Sequence, residues 1–261
     1  MKLEVYQVDA FTDRTFGGNP AVVCPLKSWL TDDMMQNIAM ENAVAETAFI
    51  VPNKHGFDIR WFTPEIEMDL CGHATLAAAH VISKHLEYPS SVIHFDSKSG
   101  SLAVEVNDAI LTLNFPSRPP ERSAAPDSIL SALNFKPVAV LKSRDYVLVF
   151  ESEDEIRNLE VNKAIFDQIN IDPGGVVVTA KGRDVDFVSR FFTPQASILE
   201  DPVTGSAHCS LIPYWAEKLG KNEFSALQLS SRGGELLCKL EGDRVKISGR
   251  AVTFMEGTIK V

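Results

Sequence analysis

Two stretches of this chain, RWFTP at Arg60 to Pro64 and RFFTP at Arg190 to Pro194, carry the same aromatic turn phrase. The repeat extends in both directions. FIVPNKHGFDIR before the first phrase and VVVTAKGRDVDFVSR before the second are each two β-rich runs around a polar turn. After them, CGHATLAAAHVISKHL and VTGSAHCSLIPYWAEKLG each set a Gly and a Ser or Thr at the opening of a run with helical apolar periodicity. Further on, SKSGSLAVEVNDAILTL from Ser97 aligns without a gap to SRGGELLCKLEGDRVKI from Ser231. The matched points Phe49 and Val176, Arg60 and Arg190, Gly72 and Gly205, and Ser97 and Ser231 are separated by 127, 130, 133 and 134 positions, so the correspondences run in order.

Collinear repetition of hairpin, helix and hairpin predicts an α+β fold of two similar halves related by a pseudo-twofold. Each half wraps a mainly antiparallel sheet around a central helix, because hairpin-length connections suit antiparallel pairing and one long helix per half is available to cover the sheet. The expected halves are residues 1–118 and 119–261, joined through the Pro- and Ser-rich FPSRPPERSAAPDS, with the last strand, AVTFMEGTIKV, free to return to the first half. With 261 residues, 45% of them hydrophobic, there is ample material for two cores.

Charge and cysteine usage narrow the function classes. The net charge of −10, unbroken by any basic block, gives nucleic acid or an anionic membrane surface little to bind, while a local site can still take a small anionic substrate. No run approaches the roughly 18 apolar residues of a membrane span, and the alternating MKLEVYQVDAF lacks the apolar core of a signal peptide, so the expectation is a cytoplasmic protein. Cys24, Cys71, Cys209 and Cys238 are far apart with no CxxC pair, which points to reduced thiols and away from a zinc ribbon. His73 and His80, seven apart on one helix, stand roughly 10 Å apart along its axis, so no metal is expected. A homodimer is expected from the frequency of twofold assemblies.

Pseudo-twofold folds place sites in the cleft between halves, where both contribute groups. Each repeated helix start offers a Gly, Gly72 and Gly205, and first-turn N–H groups with partial positive charge, which together make two anion holes for a substrate carboxylate. Ser206 adds a hydroxyl at the second. Glu46, among Ala45, Ala48 and Phe49 where a helix gives way to a strand, has apolar surroundings that disfavour its ionised form, as a general acid/base working by proton exchange requires. His73 stands within the first helix start and suits exchange with a substrate heteroatom near neutral pH. Asp201 precedes the second, placed either to orient a substrate amine or hydroxyl or to satisfy helix N–H groups.

FGGNPAVV, AETAFIV, RWFTPEIEMDLCGHAT and FFTP…EDPVTGSAH, four motifs spread over essentially the whole chain, resemble the PhzF-like phenazine-biosynthesis family of the diaminopimelate epimerase-like fold. The resemblance implies an isomerase without cofactor, with Glu46 as general acid/base and His73, Asp201 and Ser206 as its partners. Racemases of the wider fold use two cysteines, one at each helix start. Here Cys71 precedes Gly72, but Asp201-Pro202-Val203 occupies the region where the second thiol belongs. A helix N-terminus lowers a thiol's pKa, so a cysteine-dependent racemase or epimerase using Cys71 is the second enzyme reading. A non-catalytic module binding a small acid or a protein is the third.

Overall fold

In the computed structural model, which describes residues 1–171 and 174–261, the chain divides into two compact units, Met1–Asn114 with Ile247–Val261, and Phe115–Lys246. In chain order the first segment forms β1 (Lys2–Ala10), β2 (Asn19–Pro25), α1 (Asp32–Asn42), β3 (Glu46–Pro52), β4 (Phe57–Phe62), β5 (Glu67–Met68), α2 (Gly72–Lys84), β6 (Val92–Ser97), β7 (Gly100–Asn107) and β8 (Ile110–Pro116). There follow β9 (Glu121–Arg122), α3 (Asp127–Ser131), β10 (Ala139–Lys142), β11 (Tyr146–Val149), α4 (Glu153–Arg157), α5 (Lys163–Phe166), β12 (Val176–Lys181), β13 (Phe187–Phe192), β14 (Glu200–Asp201), α6 (Gly205–Leu219), β15 (Glu223–Gln228), β16 (Gly234–Glu241), β17 (Arg244–Gly249) and β18 (Ala251–Lys260). The Pro- and Ser-rich stretch is thus not featureless. Its β9 pairs with β10, and Phe115 is buried.

In the first unit β18 pairs antiparallel with β1, and β1 with β2; β2 and β3 are parallel, bridged by α1, and β3 and β4 are antiparallel. β4 runs parallel to β6, the chain returning through α2, and the β6–β7–β8 meander closes the sheet. The second unit repeats this order of directions: β11 and β12 parallel, β12 and β13 antiparallel, β13 and β15 parallel across α6, β15 and β16 antiparallel. The sheets are mainly antiparallel, as the hairpin spacing requires, and each parallel step coincides with an intervening helix.

α2 is buried from Gly72 to Ala79 and packs on β1, β2, β3, β7 and β18. Its run of alanines explains this placement: a helix surrounded by strands needs small side chains on every face. In α6, Trp215 stacks on Phe187 of β13 with rings 5° from parallel and donates to Thr179 Oγ1 of β12 at 3.0 Å. Pro213 lies inside α6 and has no N–H for the carbonyl of Cys209 four residues back. The backbone N–H of Arg118 takes that carbonyl instead, at 2.9 Å.

The repeated phrases are strand ends that clamp the chain ahead of each helix. On β4, Arg60 holds Glu67 of β5 through two bonds of 2.6 and 2.8 Å. On β13, Arg190 holds Glu200 of β14 the same way at 2.7 and 2.9 Å, and also donates to the carbonyls of Ile156 and Leu159. Bidentate clamps of this kind fix orientation as well as distance.

Candidate active site

The first unit gathers Glu46, Cys71 and His73 into one cluster, whose donor atoms lie within 4.8 Å of one another. Each arrives on a different local device. Helix α1, capped by Thr31, ends at Ala43 in the left-handed conformation (φ 51°), and the reversal launches β3 with Glu46 as its first residue, opposite Ala21 of β2. β3 is buried from Thr47 to Val51, so Glu46 stands at its rim with 15% of its side chain exposed. Cys71 is the N-cap of α2, with extended backbone (φ −137°, ψ 115°) and no side-chain capping bond. Thr75 ties the turn by donating through both N–H and Oγ1 to the Cys71 carbonyl. Gly72 follows, and His73 points its ring at Glu46, with Nε2 2.9 Å from Oε2. Both atoms are buried, and neither has another hydrogen-bond partner.

On the other side of the ring, His73 Nδ1 is 3.1 Å from the Asn19 carboxamide nitrogen and 3.5 Å from Cys71 Sγ. Nε2, on the opposite edge of the ring, is left to direct its proton toward Glu46. Sequence reasoning missed Asn19. It is the first residue of β2, fully buried, and is delivered by FGGNP, a motif quoted above with no role given to its residues. Gly18 makes the delivery possible: its φ is 60°, and a Cβ there would meet the Ala10 carbonyl oxygen at 2.1 Å.

The electrostatics correct one expectation. A helix N-terminus lowers a thiol's pKa, but Cys71 is pushed up to about 11, by burial first and by the Glu46 charge second, against the opposing pull of His73. Cys71 is 6% exposed, and loss of water outweighs the helix end. At His73, burial pulls the pKa down while Cys71 and Glu46 pull it up, and the net direction is upward. Cys71 itself stays protonated at neutral pH.

The second unit builds a different helix start. Thr204 is the N-cap of α6; its N–H donates to Gln228 Oε1 at 2.8 Å and its hydroxyl to Asp201 at 2.5 Å, while Gln228 Nε2 donates to the Asp201 carbonyl. Asp201 therefore supports the turn through Thr204. The residue matching Cys71 is Thr204, and not part of Asp201-Pro202-Val203, since each directly precedes the helix Gly. Ser206 Oγ accepts from Arg144 Nη2 at 2.9 Å, and Arg144 is itself held by Asp145. Arg144 was a second omission, a cation at the α6 start from a loop 62 positions away. Cys209 is buried, as its place beyond the first turn suggests, and its thiol is raised to about 11 by burial.

A family model described as phenazine biosynthesis-like protein matches residues 8–257. The chain belongs to that family. A Pseudomonas aeruginosa protein named as an uncharacterized isomerase is 50% identical, covering 100% of both chains. The crystal structure of a PhzF-family phenazine biosynthesis protein from Enterococcus faecalis superposes with a TM-score of 0.95 at 43% identity, again over 100% of both chains. A predicted epimerase from Pseudomonas aeruginosa, at 22% identity and a TM-score of 0.75, shares the fold. As a phenazine biosynthesis-like protein, the chain is an enzyme of the isomerase class.

Proposed function

We propose that this phenazine biosynthesis-like isomerase moves a proton on a small, carboxylate-bearing substrate, with Glu46 as the general acid/base. The observation that carries the reading is the rim position of Glu46, 2.9 Å from a buried His73 at the first turn of α2. Glu46, as carboxylate, takes a proton from a carbon acidified by adjacent unsaturation. The electron pair released on the substrate spreads into its conjugated system, and Glu46 returns the proton at another atom. Mass and charge balance within substrate and enzyme, and this chemistry requires no further reactant. His73, with a proton on Nε2, steadies the carboxylate and orients it. The N–H groups opening α2, beginning at Gly72, stabilise negative charge on the substrate. Gly205 and Ser206 at α6, with Asp201 behind Thr204, are assigned to substrate binding on the same logic.

Solvent deuterium exchange tests this directly. In D₂O, small unsaturated carboxylates that bind are expected to gain deuterium with the native enzyme and to lose that gain in Glu46→Gln. Exchange that survives Glu46→Gln but disappears in Cys71→Ala would replace this reading with a thiol-dependent racemase. The raised pKa of Cys71 argues for the carboxylate.

A further inference from the structure

We propose that Glu46, Cys71 and His73 together bind one thiophilic divalent cation of the Zn²⁺ type, and that the bound ion blocks the isomerase. The donor set is a thiol, an imidazole and a carboxylate, the ligand types that tetrahedral zinc accepts. Among the described residues no other group of three His, Cys, Asp or Glu donors converges in this way. Two ligands on a tetrahedral zinc, with Zn–S about 2.3 Å and Zn–N about 2.0–2.1 Å, stand about 3.5 Å apart. The Cys71 Sγ to His73 Nδ1 separation is 3.5 Å. Glu46 belongs to the same 4.8 Å donor cluster but now faces the opposite ring nitrogen, 2.9 Å from His73 Nε2; as the one partly exposed member it is free to swing round the ring edge to become the third ligand, and it is also the way in from solvent. The swing gives up the 2.9 Å contact between Glu46 Oε2 and His73 Nε2, and neither atom has another partner to lose.

Binding exchanges protons for the ion. The Cys71 S–H bond breaks and the sulfur forms the metal bond, while His73, whose pKa is raised, gives up its Nδ1 proton to bind as neutral imidazole; both protons leave to solvent. The Asn19 amide is displaced from Nδ1, which the ion takes, and a fourth position stays open to water. The ion site does not rest on the isomerase reading; the block does, because it works by withdrawing Glu46 from proton transfer.

Co²⁺ serves as the spectroscopic probe and Zn²⁺, in competition with a chromophoric chelator, gives the stoichiometry. The expected result is one ion per chain with a thiolate-to-cobalt charge-transfer band, lost in Cys71→Ser and in His73→Gln while far-ultraviolet circular dichroism stays native. A native enzyme that takes up no stoichiometric ion, or a Cys71→Ser variant that keeps the band, overturns the site. Should one variant fail to fold, the other decides. Exchange that continues in zinc-loaded enzyme overturns the block alone, whereas the metal-independent Glu46→Gln experiment judges the isomerase reading separately.

Discussion

The two units use one scaffold to build two unlike helix starts. Strand register makes the comparison exact at the level of positions: Thr47 on β3 faces Phe62 on β4, and Val176 on β12 faces Phe192 on β13. One residue earlier stands Glu46 in the first unit and Gly175 in the second. A Cβ on Gly175 would sit 2.3 Å from the Phe191 ring, so no carboxylate could occupy that place without moving an aromatic core residue. At the helix starts, Cys71 and His73 correspond to Thr204 and Ser206. The first unit offers a histidine and a carboxylate, the second a hydroxyl pair backed by Arg144. The scaffold tolerates this divergence because each Arg–Glu clamp fixes the helix start by itself, independent of what the first turn carries.

The largest expected effect belongs to the residue that has no counterpart. Glu46→Gln should lower kcat by roughly 10²- to 10⁴-fold, the usual worth of general acid/base action, with the melting temperature little changed. A drop of less than a few-fold would mean that the asymmetry at this position is not catalytic.

A second asymmetry is electrostatic. His208, whose counterpart in the first unit is Thr75, donates from Nδ1 to the Thr204 carbonyl and is pushed down to about 4 by burial, against the pull of that bond. Its folded pKa lies below the ordinary 6.5, so the unfolded chain gains the proton first as pH falls. Its contribution is intact above about 6.5 and drains away toward pH 4, on the order of 3 kcal/mol in total. His80 in α2 is likewise lowered to about 4, by burial and then by His85 and Lys84, so His208→Gln should flatten only part of the loss. Chemical denaturation at pH 7 and pH 5 in both proteins measures that part, and equal slopes would remove His208 from the account.

The clamps differ in depth. Arg190→Ala strands Glu200 and two backbone carbonyls, and should cost about 2–3 kcal/mol, whereas Arg60→Ala leaves Glu67 still paired with Lys98 and should cost about 1–2 kcal/mol. Urea titrations would compare them; the reverse order would show that the first clamp carries more than its visible bonds. Ser206→Ala should have the smallest effect, raising KM about 2- to 10-fold with kcat nearly unchanged, as expected from removing one hydrogen bond of about 0.5–1.5 kcal/mol.

Much of this was legible in the sequence, for reasons that are themselves physical. The alternation of hairpin and helix follows from local periodicity, so the α+β fold with a central helix and a mainly antiparallel sheet could be read from the repeat. Glu46, Cys71 and His73 could be named because each sits in a short motif that announces its backbone setting. Asn19 and Arg144 could not be assigned roles, because their partners His73 and Ser206 lie 54 and 62 positions away, and only the packing of helices against strands and loops brings them together. The acidity of Cys71 was misjudged because a helix end is visible in sequence and the depth of burial is not.

Pro213 has a consequence that amide exchange would register. By giving up one rung of its own ladder, α6 frees the Cys209 carbonyl, and the Arg118 N–H fills it. Arg118 lies in a proline-flanked stretch where an N–H would ordinarily swap its hydrogen with water almost at once. Bonded to a buried stretch of α6, it can do so only when that helix opens, so the second unit's first residues inherit the helix's protection.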